Sequence, residues 1–393
     1  MIRHTKIVVR LIATLCTTVA FAQVASTQTN SAIQDSTSSA PVAYVYVSDV
    51  PNNMPEIHAF AAAANGRLTP VSGSPFPGGA EDGMAVNGKY LFGTDGVYIY
   101  SFSIASDGAL KRVASINAEQ FNQGGCGGPG ALFLDHTGTS LYTVDFNEDC
   151  SGSDDAYQSF SIDNSTGQLS YLGVSSATRA YYVPMSFIGN NKYAYGAQCN
   201  SNMYWSIFGF QRGSDGLLNS LNTNPPTPKA KPGDFYCPNF STADPTNHVA
   251  FSMQAVNGST FNSDGPPQLA TYTADSSGNL TTKSTRFNMP ATAAQNLTDI
   301  WMSPSGKLLA VGGTAGLQVF HFNGSNPISH YTGLLTKDSI DQFFWDNNNH
   351  LYAISHSAGK LFVYTITPTS FSRAPGSPYR VTDSRNISVL PKK

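Results

Sequence analysis

Three aspartates and one arginine stand at the entry of strand-like segments in this sequence. Asp82, Asp299, Asp341 and Arg385 each precede a run of apolar or β-branched residues. A carboxylate can activate water as a general base, and a cation can stabilise the negative charge that develops on an attacked carbonyl oxygen. If these segments converge, Asp341 or Asp299 is the predicted base and Arg385 the predicted cation. The alternative is structural, with the same side chains capping strands around a polar funnel.

Other polar residues near the same segment ends are predicted to bind a substrate at this opening. Tyrosine and amide side chains both donate and accept hydrogen bonds, and carboxylates accept them from hydroxyl groups. The predicted substrate-binding residues are Glu81, Asp82, Tyr181, Tyr182, Asp234, Gln342 and Asn386.

An acidic stretch, residues 145–155, carries the oxygen donors that Ca²⁺ prefers. Cys150 and Ala156 stand where an EF-hand loop needs glycine and glutamate, so a solvated acidic loop is the favoured interpretation. The sequence also lacks His-x-His, His-Glu-x-x-His and Gly-x-Ser-x-Gly patterns. We therefore predict no metal, no cofactor and no serine nucleophile.

Five cysteines are present, and Cys16 lies in an apolar run near the N-terminus. The other four are an even number, which favours disulfides in an exported chain. Of the three possible connectivities, we favour Cys126–Cys150 together with Cys199–Cys237.

A repeated pattern indicates what positions these residues. A glycine turn followed by leucine recurs at 65–68, 107–110, 166–169, 215–218 and 277–280. An apolar, β-branched or aromatic strand recurs seven times, at 43–47, 90–92, 141–144, 193–195, 249–251, 308–311 and 351–354. Each repeat holds about four short strands and cannot bury both of its faces alone. We therefore predict an all-β, seven-bladed β-propeller with four antiparallel strands per blade. Trp205, Trp301 and Trp345 repeat at blade positions and are interpreted as packing between blades.

The two ends of the repeat region complement each other. The first repeat starts at Tyr44 without an innermost strand, whereas residues 386–390 form a strand-like run after the seventh repeat. A C-terminal strand that completes blade 1 would close the ring and remove exposed sheet edges. Closure makes residues 42–393 a single domain.

The N-terminal segment has the pattern of an export signal. A basic region with Arg3, Lys6 and Arg10 precedes an apolar run and a small-x-small motif that ends at Ala22. We predict a signal peptide at 1–22, a disordered Ser/Thr-rich tether at 23–41, and a secreted or periplasmic location. The run is too short to span a bilayer.

Charge and composition limit the partners. Charged residues make up 12% of the chain and the formal net charge is −3. Because no basic surface is indicated, nucleic acid is not expected as a partner. We expect a monomer that is not an integral membrane protein, with a small lactone or carbohydrate-like molecule as its possible ligand.

The segments YVYVSD and IHAFAAAANGRLTPVSGSPF resemble the seven-bladed lactonase family, whose members are similar to 6-phosphogluconolactonase and to muconate cyclases. The resemblance covers residues 43–390. It implies a metal-independent lactone hydrolase that acts on a sugar-acid-type lactone at the channel mouth. The alternative is a non-catalytic propeller scaffold that binds a ligand, a glycan or a protein, since a fold does not fix a function.

Overall fold

The computed structural model describes residues 40–121, 129–145, 156–175, 184–199, 205–221 and 225–392. Within them the chain is all-β, and its strands form seven small antiparallel sheets in a ring. This confirms the predicted seven-bladed β-propeller. The helical segments in these ranges are two short 3-10 turns, Pro51–Asn53 and Glu119–Phe121. Neither they nor any other described helix could span a membrane.

Strands are numbered in chain order, and successive groups of strands form blades 1 to 7. Blade 1 contains β1 (Ala43–Asp49), β2 (Glu56–Ala62), β3 (Leu68–Pro70) and β4 (Phe76–Pro77). Blade 2 contains β5 (Gly83–Val86), β6 (Tyr90–Thr94), β7 (Tyr98–Ile104) and β8 (Leu110–Asn117). Blade 3 contains β9 (Pro129–Leu134), β10 (Ser140–Asp145), β11 (Ala156–Ile162) and β12 (Leu169–Val174). Blade 4 contains β13 (Ser186–Phe187), β14 (Tyr193–Cys199), β15 (Trp205–Arg212) and β16 (Leu218–Ser220).

The remaining blades follow the same order. Blade 5 contains β17 (Asp234–Ala243), β18 (His248–Asn257), β19 (Gln268–Ala274) and β20 (Leu280–Thr282). Blade 6 contains β21 (Leu297–Met302), β22 (Leu308–Gly313), β23 (Gly316–His321) and β24 (Ser329–His330). Blade 7 contains β25 (Gln342–Trp345), β26 (His350–Ser355), β27 (Lys360–Thr367), β28 (Ser370–Arg373) and β29 (Tyr379–Arg380). The last strand is β30 (Ser384–Pro391).

The chain ends close the ring as the sequence predicted. Strand β30 pairs antiparallel with β1, and Tyr44 lies opposite Leu390 while Val47 lies opposite Ile387. It thus forms the innermost strand of blade 1. The free edge of β1 is covered, and the first and last described strands share one sheet.

The apolar core is divided among the interfaces between neighbouring blades. One buried cluster joins blades 1 and 7 through Val45, Val47, Ile354 and Val363, and comparable clusters join the other neighbouring pairs. The sheet faces therefore pack on each other around the ring, and the inner strand edges are left to line the centre.

The five recurrent glycine turns, in blades 1 to 5, each contact the blade before it in the ring. Gly108, with a φ of +89°, sits so close to the Tyr44 ring that an added Cβ would overlap it. The leucines after these turns, Leu68, Leu110, Leu169, Leu218 and Leu280, are buried. Tyrosine hydroxyls of the preceding blade donate to turn carbonyls: Tyr46 to Gly108, Tyr142 to Gly216 and Tyr195 to Gly278. The glycine supplies both the left-handed backbone and the close approach that this contact requires.

Candidate functional site

The innermost strands surround a central channel that contains a cavity of about 310 Å³. Its walls are mainly apolar and include Leu132 and Met185. Three of the residues predicted from the sequence, Asp299, Gln342 and Asn386, line this cavity. An apolar pocket with a few convergent polar groups is the usual form of a small-molecule site.

Among the described residues that line this cavity, Asp299 is the one with an acidic side chain. It lies in β21 beside an irregularity in the pairing with β22. The backbone amide of Ile300 donates to Oδ1 at 2.8 Å, and the indole Nε1 of Trp301 donates to Oδ2 at 2.6 Å. Burial raises the pKa of Asp299 to about 7, although both hydrogen bonds oppose the rise. A carboxyl group with this pKa can accept and release a proton near neutral pH.

Trp301 and Phe344 form an aromatic wall in the same cavity. Their ring centroids are 4.4 Å apart, across the interface of blades 6 and 7. The indole Nε1 of Trp345 donates to the Trp301 carbonyl oxygen at 3.2 Å, which fixes this wall. Trp301 therefore packs between blades, as the sequence indicated, and also lines the channel and holds the Asp299 carboxylate. This second role was not predicted from the sequence, although Asp299 and Trp301 are two residues apart in a strand, which puts both side chains on the same side.

The two amide residues brace the inner strands across blades 7, 1 and 2. Gln342 Oε1 accepts the backbone amide of Ile387 at 2.7 Å. Asn386 Nδ2 donates to the carbonyl oxygens of Ala80 and Glu81, at 3.1 and 2.7 Å. These contacts set the relative position of three lining strands.

A cluster of carboxylates with one arginine lies where blade 2 meets the closing strand. Burial raises the pKa of Glu81 and of Asp82, and the negative charge of Asp95 raises both further, while Arg385 opposes the rise. Glu81 Oε2 is buried without a hydrogen-bond partner among the described residues. Arg385 is half-exposed, and its guanidinium lies 3.3 Å from Asp383.

Asp341 and Asp234 lie outside the described lining of the cavity. Asp341 is exposed, and its Oδ2 accepts the backbone amide of His356 at 2.6 Å. Asp234 opens β17 and lies 3.6 Å from the ammonium group of Lys231, which also contacts Asp264. The structure thus brings Asp299, Gln342 and Asn386 together and leaves these two aspartates apart from them.

The predicted residues Tyr181, Tyr182, Cys126 and Cys150 lie outside the described residues, as do 146–155 of the acidic stretch. Of the favoured disulfides, the structure contains Cys199–Cys237, with Cα atoms 5.3 Å apart. It joins β14 of blade 4 to β17 of blade 5.

A further residue, His136, lines the channel and was not singled out from the sequence. It follows β9 and lines both the central cavity and a second cavity of about 320 Å³. The two cavities also share Trp301 and Phe344. Burial lowers the pKa of His136, against the opposing charge of Asp135. The available sequence signal was a histidine two residues beyond an inner strand, where the channel opens.

Comparisons with known proteins bear on the fold. No protein-family model matches the chain, and no curated protein matches it either. Among solved structures, the periplasmic gluconolactonase of Pseudomonas aeruginosa has a TM-score of 0.62 at 13% identity, over 88% of this chain and 99% of that one. A proposed 6-phosphogluconolactonase of Bacteroides fragilis has a TM-score of 0.57 at 13% identity, over 90% and 99%.

A third similar structure is a protein of unknown function from Desulfotomaculum acetoxidans, with a TM-score of 0.61 at 14% identity, over 89% of this chain and 99% of that one. These likenesses extend over nearly the whole of each neighbour. At such low identity they establish a shared architecture, and this chain is a β-propeller of the kind found in 6-phosphogluconolactonase-like proteins.

Proposed function

We propose that this protein hydrolyses a lactone inside its central channel. The observation that carries the proposal is the Asp299 carboxyl group, which lines the cavity, is held by two donors and has its pKa raised to about 7. Solved structures of the same architecture include proteins named as lactonases, which supports this choice of reaction.

In the proposed reaction, the Asp299 carboxylate removes a proton from water while the water oxygen attacks the lactone carbonyl carbon. The ring C–O bond then breaks, and the proton passes from Asp299 to the ring oxygen as it leaves. The product is the open hydroxy acid, and the aspartate is regenerated. Asp299 takes the role of base in preference to Asp341, because Asp341 is exposed and bonded to the His356 amide.

Oxyanion stabilisation is assigned to the amide groups of the channel. The Gln342 side chain lines the cavity with Asp299, and its Oε1 is already engaged by Ile387, so its nitrogen is the group available to donate. Arg385, Glu81 and Asp82 are proposed to bind the substrate at the entrance.

The substrate is proposed to be an uncharged lactone of the sugar-acid type. Among the described lining residues of the cavity there is neither lysine nor arginine. Phosphate recognition normally uses such cations, so a phosphorylated lactone is disfavoured. Trp301 and Phe344 offer an apolar face against which a ring can pack.

Export is part of the proposal. The pattern of residues 1–22, the Cys199–Cys237 disulfide and the periplasmic setting in the name of the Pseudomonas neighbour support a secreted or periplasmic protein. The disulfide is the observation from the structure itself.

The test is a panel of uncharged and phosphorylated lactones, assayed with wild type, Asp299→Asn and Asp341→Asn. We expect Asp299→Asn to lower kcat by about 10²–10⁴-fold, as for loss of a general base, and Asp341→Asn to retain turnover. Asp215→Asn is the matched control, since Asp215 lies in an exposed turn and its Oδ1 accepts the backbone amide of Leu217, which asparagine can also accept.

Two outcomes would contradict the proposal. Turnover that survives Asp299→Asn but is lost in Asp341→Asn would return the role of base to Asp341. Saturable binding of a ligand without turnover of any lactone would instead favour a non-catalytic binding protein.

A further inference from the structure

Blade 1 brings two carboxylates and an imidazole together, apart from the channel. Asp49 ends β1 and Glu56 begins β2, and the two residues pair directly across the hairpin. His58 lies two residues further along β2, so its side chain is on the same face as that of Glu56. One hairpin therefore presents three potential metal ligands.

The three donor atoms have the separations of ligands around one small cation. His58 Nε2 is 3.1 Å from Glu56 Oε1 and 3.3 Å from Asp49 Oδ2, and all three atoms lie within 4.8 Å of one another. A tetrahedral zinc ion with bonds of about 2.0–2.2 Å holds its ligand atoms about 3.3–3.6 Å apart. The side chains thus need little rearrangement to coordinate.

Hydrogen bonding leaves the imidazole unsatisfied. His58 Nε2 is inaccessible to solvent yet makes no well-aligned hydrogen bond among the described residues, because it faces two carboxylate oxygens at once. A single N–H cannot point at both oxygens, whereas a cation placed between the three atoms bonds to all of them. A buried polar group whose hydrogen bonds are poorly aligned carries a free-energy cost, which such a cation would lower.

Surrounding contacts orient the buried ligand. Asp49 is only 2% exposed, and its Oδ1 accepts the backbone amide of Asp383 at 3.1 Å. Its Oδ2 accepts a long hydrogen bond from the Thr382 hydroxyl, at 3.5 Å, and faces His58 Nε2 at 3.3 Å. Ligating carboxylates in metal sites are held by outer hydrogen bonds of this kind.

Charge and ligand type select the cation. Two carboxylates outweigh one imidazole, so the group attracts a positive ion. An imidazole nitrogen suits zinc and related transition metals, whereas Mg²⁺ and Ca²⁺ prefer oxygen ligands alone. We propose that Asp49, Glu56 and His58 bind one zinc-class divalent cation.

This site would act on the closure of the ring. Asp49 belongs to β1 and is bonded to the residue that precedes β30, the strand that completes blade 1. A cation held by β1 and β2 would fix this carboxylate and, through it, the closing segment. Its expected effect is therefore on the stability of the closed ring.

The experiment uses the full chain after removal of metals with a chelator. We expect titration calorimetry to show one Zn²⁺ ion per chain binding with a Kd in the micromolar range or tighter. Bound Co²⁺ should give the d–d absorption of a low-coordinate site. The Tm should rise with metal concentration. Glu56→Gln and His58→Gln should each weaken this equivalent by about 100-fold or more, because even outer partners of ligands cost 10–100-fold. His330→Gln, which changes an exposed strand histidine, is the matched control.

The proposal is overturned if no Zn²⁺ or Co²⁺ binds at millimolar concentration, or if the bound equivalent persists unchanged in both ligand variants. It is also overturned if NMR shows His58 bearing protons on both nitrogens in the presence of excess Zn²⁺, because the group is then an ion triad. Both variants are conservative, and near-ultraviolet circular dichroism verifies that each has folded.

Discussion

The raised pKa of Asp299 makes a quantitative prediction about stability. Its carboxyl group has a pKa near 3.8 when unfolded and of about 7 when folded. The contribution of this group to stability is therefore fully present below pH ~4 and is lost as pH rises toward 7, because the unfolded chain ionises first. At about 1.4 kcal/mol per pKa unit, the complete loss is about 4 kcal/mol.

We predict that Asp299→Asn removes this pH dependence. Between pH 5 and pH 8.5, the linkage relation predicts that Asp299 lowers the unfolding free energy of the wild type by about 2.5 kcal/mol. Screening of the charge by solvent in the channel would reduce this to about half. Asparagine keeps one acceptor oxygen for the amide of Ile300 or the indole of Trp301. Loss of the other hydrogen bond lowers the unfolding free energy of the variant by about 1–3 kcal/mol at both pH values. It therefore does not change how the unfolding free energy depends on pH.

The assay is urea unfolding of wild type and Asp299→Asn at pH 5 and pH 8.5. The difference in unfolding free energy between the two proteins should move by about 1–2.5 kcal/mol in favour of the variant at the higher pH. Contributions of Glu81 and Asp82 cancel, since both proteins contain them. Asp215→Asn should track wild type at both pH values. Differences that agree within about 0.5 kcal/mol at the two pH values would refute our account of the channel carboxyl.

Three further predictions concern the fold. Asp346→Ala should lower the unfolding free energy by about 3–5 kcal/mol in urea, because the fully buried His350 loses the carboxylate that lies 2.7 Å away; a loss below about 1 kcal/mol would contradict this. Replacing Cys199 and Cys237 by serine should lower the unfolding free energy by about 4 kcal/mol, because the disulfide closes a loop with a separation of 38 residues. Adding reductant to the wild type should lower it by the same amount, and no effect of reductant would contradict a disulfide in solution. Truncation after residue 383 removes β30 and should abolish cooperative thermal unfolding, whereas deletion of residues 392–393 should leave it intact; a cooperative transition in the longer truncation would show that the ring does not depend on its closing strand.

The architecture could be predicted from the sequence because it follows from local rules that repeat. A glycine that must adopt positive φ, a leucine that returns to the core and an alternating strand occur in register along the chain. Any one of these is weak evidence, but together they require neighbours of the same kind, and a ring satisfies that requirement. The pairing of residues 386–390 with the strand at Tyr44 followed from the missing innermost strand of blade 1.

The chemistry was decided by tertiary structure. Asp299 and Asp341 look equivalent in sequence, since each stands at the entry of an inner strand. The structure places Asp299 beside Trp301 within the channel, where burial raises its pKa, and leaves Asp341 in solvent. The desolvation of Asp299 depends on how all seven sheets are arranged around one axis, so no local pattern could indicate it.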